Sequence, residues 1–291
     1  MEKRTLKEGA TPFTPYTTTS CIKPDIDETY TEYSYSGELL SIVQAHKCGF
    51  KLWQSMIGSL QGMAIYGNIM VRMANGGTHY ILGFNEQSYE IKGTFSTSTG
   101  HSNSLQFAPT ILSGETYPLL YVAGLSGKCY VIQISQDFSV SLIQTLTIDE
   151  SSSISQTCNL QIGDDGHIWA AYLDSTDQFH FVKLRKVLTS EGNVTITDND
   201  IIDQWSTEEL YPYSNHVWQG MKVKFGKIWL LFGTTGPAQY RGIQVFDTAT
   251  HRNLSSIDLS VAASVEFEDL DFYGDSLLVA SYTAQIYKIR F

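Results

Sequence analysis

Between Gln61 and Asn85 the chain reads QGMAIYGNIMVRMANGGTHYILGFN: three short apolar strands joined by two tight turns. Four later stretches repeat the pattern, LQFAPTILSGETYPLLYVAG (105–124), LQIGDDGHIWAAYL (160–173), WQGMKVKFGKIWLLFG (218–233) and FEDLDFYGDSLLVASY (267–282). A meander that recurs in this way buries its apolar faces by packing against copies of itself, which leaves few folds open to the chain. The polar residues that open the units, Gln61, Gln106, Gln161, Gln219 and Glu268, stand 45, 55, 58 and 49 residues apart. That is near the period of about 40 to 50 residues expected of propeller blades.

Each unit continues with a third strand of alternating pattern, such as THYILGF, KCYVIQI or FHFVKL, and a more polar fourth, such as SVSLIQTLTI or NVTITDNDII. The last unit reaches Phe291 with only three strands, so a fourth must come from elsewhere. The segment near 37–46 is the natural donor, and it would close a ring by joining the two ends of the chain. The expected fold is therefore an all-β, five-bladed β-propeller over residues 36–291, with blades starting near 61, 105, 159, 218 and 267; a six-bladed ring is the alternative. Residues 1–35, rich in Thr, Pro, Tyr and acidic side chains, read as an extended N-terminal arm held against the body or a partner. The stretch from Glu38 to Trp53 could pass for a helix and is assigned instead as closure strand plus loop.

The charge balance narrows the partners. Nineteen basic against 30 acidic residues give a net charge of −11, which opposes a sequence-independent grip on nucleic acid or an anionic membrane. No apolar run approaches the roughly 18 residues of a spanning helix, and the charged start has no apolar stretch after it. The sequence as written thus carries no signal peptide, which suits a virion or cytoplasmic protein, or a secreted or cell-surface one whose leader has been removed. The four cysteines form no CxxC pair, which excludes zinc-ribbon and thioredoxin-like readings. Cys129, within KCYVIQI, reads as a small buried thiol; pairing of Cys21 with Cys48 is open. No metal spacing and no phosphate loop occur, so neither cofactor nor metal is expected.

Three groups of residues invite chemistry. Asp164 to Trp169 resembles the Asp-box of sialidases, but Ile162 stands where that box has Ser or Thr, and the matching positions elsewhere are plain hairpin turns. Asp198 and Asp200 have the DxD spacing of some calcium loops, yet they fall in an expected outer strand and lack the loop's glycine and distal glutamate. Glu266, Glu268, Asp269 and Asp271 cluster on the first strand of the last unit, where a carboxylate pair could do general acid and base work. Glu268 and Asp269, with His101 or His216, are the weak catalytic candidates. Structural lining of a polar channel and ligand binding are the other roles open to Gln61, Gln106, Gln219 and Glu268. On the loops expected at one face of the disc, His101, Asn103, Tyr213, His216, Trp218 and Tyr240 mix aromatic rings with amides. That mixture suits a sugar or a protein surface, and it also suits ordinary loop packing.

The stretch HSNSLQFAPTILSGETYPLLYVAGLSGKCYVIQI, together with QGMAIYGNIM, resembles a group of largely uncharacterised β-propeller proteins of gut bacteria and their phages. The resemblance rests on Gln61 and Gly62, on His101, Asn103 and Ser104, on Tyr117 to Val122 and on Lys128 to Val131. It implies the propeller fold and carries over no catalytic residue. At the level of fold alone, phage receptor-binding propellers are similar as well. The function expected is a non-enzymatic recognition or structural propeller, binding a cell-surface glycan or a protein partner, in the setting of a phage virion or tail. A glycan-active hydrolase or lyase is the alternative.

Overall fold

Why the strands are apolar on both sides is visible in how the sheets stack. In the computed structural model, residues 60–290 are described apart from 75, 85–88, 100–101, 103, 125–126, 156–158, 175–177, 208–217, 234–240, 260–265, 275 and 283–285, along with three short strands between 35 and 47. Those three are β1 (Tyr35–Ser36), β2 (Leu39–Leu40) and β3 (His46–Lys47). Blade 1 then comprises β4 (Leu60–Tyr66), β5 (Ile69–Ala74), β6 (Thr78–Phe84) and β7 (Tyr89–Ser96). Blade 2 has β8 (Ser104–Phe107), β9 (Leu120–Gly124), β10 (Lys128–Ile134) and β11 (Val140–Ile148). Blade 3 has β12 (Asn159–Ile162), β13 (Ile168–Leu173) and β14 (Phe179–Leu184); after an excursion through β15 (Val194–Ile196) it is completed by β16 (Ile201–Thr207). Blade 4 is β17 (Trp218–Lys224), β18 (Lys227–Phe232), β19 (Gly242–Asp247) and β20 (Asn253–Asp258). Blade 5 is β21 (Phe267–Tyr273), β22 (Ser276–Ser281), β23 (Ile286–Arg290) and, from the other end of the chain, β3.

The buried apolar side chains fall into clusters that each bridge two neighbouring blades, and five of them fill the gaps of a five-membered ring. Alternation along a strand decides which gap a residue enters. Ile228, Leu230 and Phe232 face blade 3, whereas Trp229 and Leu231 face blade 5. All six residues of β18 are buried for this reason, and the chain is a five-bladed β-propeller rather than the six-bladed alternative.

The fourth strand of blade 5 is β3, which overlaps the expected segment 37–46 only at His46. Lys47 pairs with Tyr287 and His46 with Lys288. The residues before it do something else: β1 and β2 form a small antiparallel pair, and β2 lies against β20 of blade 4. Residues 1–34 of the expected arm lie outside the described residues, as do Cys21, Cys48 and Cys158. Cys129 is buried, and burial pushes its thiol up to about 12.

One stretch departs from the sequence reading. NVTITDNDII, expected as a single fourth strand, divides into three: β15, a short 3-10 helix at Asp198–Asp200, and the start of β16. β15 runs back to blade 2 and pairs in parallel with β11, Leu146 to Val194 through Ile148 to Ile196. Local alternation in Val194–Ile196 cannot tell which sheet will take it. Gln144 fixes this clasp by donating Nε2 to the carbonyls of Leu188 (3.0 Å) and Gly192 (2.5 Å). Asp198 accepts from Ser152 Oγ and Ser153 N, while Asp200 accepts from Thr197 N and Arg185 Nε, so the two are structural anchors pointing to different partners. Replacing Gln144 with leucine is expected to cost about 1–2 kcal/mol, because two carbonyls lose their donor. Hydrogen exchange should then quicken at residues 194–196 and stay unchanged in blade 4; uniform acceleration would show that β15 is not a separable clasp.

Candidate functional site

The ring brings the inner strands β4, β8, β12, β17 and β21 around one axis, and their pairing fixes which residues share a level. Ala64, Gln106, Gln161, Lys222 and Asp271 stand opposite Val71, Tyr121, Trp169, Trp229 and Leu278. Each of those partners enters the gap toward the following blade. Residues directly opposite in an antiparallel pair share a face, so these five form one level facing the following blade at the axis. Two residues earlier comes a second level: Gly62, Ser104, Asn159, Gly220 and Asp269. The glycines belong to it because a Cβ on Gly220 would meet Asp269 Oδ1 at 2.6 Å, and one on Gly62 would meet the Ser102 carbonyl at 2.9 Å.

The five polar residues that open the units therefore do not form a single ring. Gln106 and Gln161 lie at the Lys222–Asp271 level. Gln61, Gln219 and Glu268 sit at register breaks in β4, β17 and β21, where pairing skips between Leu60 and Met63, Trp218 and Met221, and Phe267 and Asp269. Such a bulge inserts residues without lengthening the sheet, so aligning the units on their polar residue equates positions that differ in height. All five side chains are buried.

Side chains on both levels reach the backbone of the next inner strand. Asp269 Oδ2 accepts from Met63 N and Asp271 Oδ2 from Ile65 N, each at 2.7 Å. Ser104 Oγ donates to the Leu160 carbonyl at 2.8 Å, and Gln106 Nε2 to that of Ile162 at 2.5 Å. Two residues cross the axis. Gln106 Nε2 also reaches the Val223 carbonyl at 3.3 Å, and Lys222 Nζ donates to Met63 O at 2.9 Å, to Leu105 O, and to Asp269 Oδ2 at 3.2 Å. One ammonium from blade 4 thus ties blades 1, 2 and 5 together. Lys224 Nζ adds a second ion pair with Asp271 at 3.2 Å.

Lys222 and Asp269 are both fully buried. Burial pushes the Asp269 carboxyl up to about 7, against the opposing pull of Lys222 and the Met63 N–H. Arg72, also fully buried, donates Nη2 to Gln61 O (3.3 Å) and Ser281 O (3.5 Å) across the seam between blades 1 and 5, and burial lowers it to about 10. Lys222 and Arg72 were invisible as axis and seam residues in the unit alignment. Their signal was a cation on an otherwise apolar strand, Lys222 flanked by Met221 and Val223 in WQGMKVK and Arg72 in IMVRMA, which calls for a buried partner.

Of the loop candidates, His101, Asn103, Tyr213, His216 and Tyr240 lie outside the described residues. Trp218 is partly buried, packed edge-on against Phe179 at 5.0 Å. The Asp-box-like stretch is a hairpin turn: Asp164 Oδ2 accepts from Phe225 N in the turn of the neighbouring blade, and Asp165 pairs with Lys183 at 2.7 Å. Among the described residues no three His, Cys, Asp or Glu side chains gather closely enough to hold a metal ion, and no helix is long and apolar enough to cross a membrane.

No protein family and no curated protein matches the chain. Among solved structures it is similar to glutaminyl cyclase of Myxococcus xanthus, at 10% identity and a TM-score of 0.54, over 86% of this chain and 98% of that one. A catalytically inactive virginiamycin B lyase of Staphylococcus aureus, solved with quinupristin, matches at 12% identity and a TM-score of 0.44, over 94% and 87% of the two chains. The WD40 domain of SCAP from fission yeast matches at 14% identity and a TM-score of 0.35, over 78% and 50%. At such identities the first of these supports the fold, and the other two add no argument.

Proposed function

We propose that this propeller is a recognition or structural module that binds a cell-surface glycan or a protein partner, in the setting of a phage virion or tail, and performs no chemistry on what it binds. The observation that carries this reading is the state of the axial carboxylates. Glu268 and Asp269, the pair that would serve as general acid and base, are buried, and Asp269 is held by Lys222 and by the Met63 N–H. A carboxyl that must exchange protons with a substrate needs hydrogen-bond reach to it, and these are enclosed by other blades. The glycan-active hydrolase or lyase loses its strongest residues on the same ground. Recognition then falls to the loop face, with His101, Asn103, Tyr213, His216, Trp218 and Tyr240 as its candidate contacts.

A panel of capsular and cell-wall polysaccharides, scored in parallel for retention and for released product, tests the reading. Retention without product is expected, weakened about tenfold, or about 1.4 kcal/mol, by the combined changes His101→Ala, Tyr213→Ala and Trp218→Ala. Since Trp218 packs against Phe179, the thermal midpoint of the triple variant is the control. Product release by the unaltered protein would overturn the proposal.

A further inference from the structure

The rim between blades 1 and 2 holds a groove lined by none of the axial residues. It encloses about 370 Å³, within the range of small-ligand sites. One wall is hydroxylic, from Ser96 at the end of β7, Ser98 just after it and Tyr130 on β10; the other is apolar, from Phe95, Val140 and Leu142. Among the described residues, no carboxylate, ammonium, guanidinium or imidazole lines it.

Several features show that the groove is built rather than incidental. Phe95 is locked in place by stacking on the fully buried ring of His79, 4.5 Å away and 8° from parallel. Ser98 Oγ and the Tyr130 hydroxyl are hydrogen-bonded at 2.6 Å, which fixes the polar wall. Register slips between Val131 and Ile132, where Val131 faces Gln144 but Ile132 faces Leu142. The slip recurs between the third and fourth strands of blades 1, 3 and 4, and here it leaves Leu142 60% exposed at the groove. The two blades are also pinned together nearby, since a Cβ on Gly93 would lie 3.2 Å from the Phe138 carbonyl.

We propose that this groove binds one terminal pyranose of a neutral glycan. Hydroxyl groups act as donor and acceptor alike, so the Ser96, Ser98 and Tyr130 wall matches a ligand whose own groups are hydroxyls. The Phe95, Val140 and Leu142 wall takes the apolar C–H face of a sugar ring. A groove with no charged side chain among the described residues, on a protein of net charge −11, disfavours sulfated or sialylated ends. The proposal rests on the recognition reading above and adds to its loop-face contacts a second point of attachment for the same glycan.

The test titrates the full chain by saturation-transfer NMR with oligosaccharides ending in neutral hexose or N-acetylhexosamine, with acidic glycans alongside. Leu142→Arg puts a bulky charge on the groove at an exposed position, and Tyr130→Phe removes one hydroxyl only. At least a tenfold loss of affinity for neutral ends is expected from the first and about threefold from the second, with thermal midpoints unmoved. Neutral glycan binding that survives both changes overturns the groove and leaves the recognition reading standing. Binding of acidic glycans alone, or of a peptide at this groove, overturns the sugar assignment. A protein that retains no glycan at all overturns the groove and the glycan half of the reading together.

Discussion

Replacing Lys222 with methionine is expected to destabilise the ring by about 3–5 kcal/mol above neutral pH, the range found when one partner of a buried ion pair is removed. Methionine preserves much of the volume but leaves Met63 O and Leu105 O without their donor and Asp269 without its counter-ion. The loss should depend on pH, with a definite sign. Asp269 titrates near 7 in the folded protein and near 4 when unfolded. Between those values the folded state binds more protons than the unfolded one, so this group's contribution is largest below about 4 and declines as pH rises to about 7. Without Lys222 the attraction that lowers the folded value is gone, and the decline extends to higher pH. Denaturant titrations at pH 5 and pH 8 should therefore show a larger penalty for Lys222→Met at pH 8. Adding Asp269→Asn should recover a substantial part of it at pH 8, as expected for two groups that interact directly. An equal penalty at both pH values, or one below about 1 kcal/mol, would mean that the axis is hydrated and Lys222 is not the tie between blades.

The ring was legible in the sequence because packing on both faces writes itself into strands such as the IWLLF of β18, in which no position is polar. Closure was legible for the same reason: three strands in the last unit leave an edge that something must cover, and His46–Lys47 covers it. The axis was not. Pairing registers, which decide whether Gln106 stands level with Gln61 or with Lys222, depend on bulges at Gln61, Gln219 and Glu268 that leave no local mark except the glycines after two of them. Likewise Val194–Ile196 alternates as any fourth strand would, and only the carbonyls offered to Gln144 and the pairing to β11 assign it to blade 2. Periodicity records which faces are buried; it does not record which neighbour buries them.

That limit makes the approach between blades the sharpest check on the architecture, and Gly233→Ala tests it. Gly233 follows β18 in blade 4 and faces the start of β21 in blade 5, where an added Cβ would lie 2.8 Å from Phe267 Cβ and 2.9 Å from both its backbone N and O. None of these atoms belongs to the flexible end of a side chain. Phe267 is itself fixed, fully buried and packed edge-on against Tyr287 at 5.4 Å. The methyl can be admitted only by moving blade 5 away from blade 4, which strains a close-packed interior. A loss of about 3 kcal/mol is expected, the upper part of the usual range for overpacking. The contrast is Gly67→Ala, at a hairpin turn with φ +56° and nothing within 4 Å of the added carbon. There the cost is backbone conformation alone, about 1–2 kcal/mol. A second variant separates the causes: Phe267→Ala added to Gly233→Ala should give no relief, because the crowding atoms of Phe267 are the ones alanine keeps. Rescue by that change would place the contact at the phenyl ring and so put the two blades farther apart than the Gln219 Nε2 to Glu266 Oε1 bond of 3.1 Å between them implies.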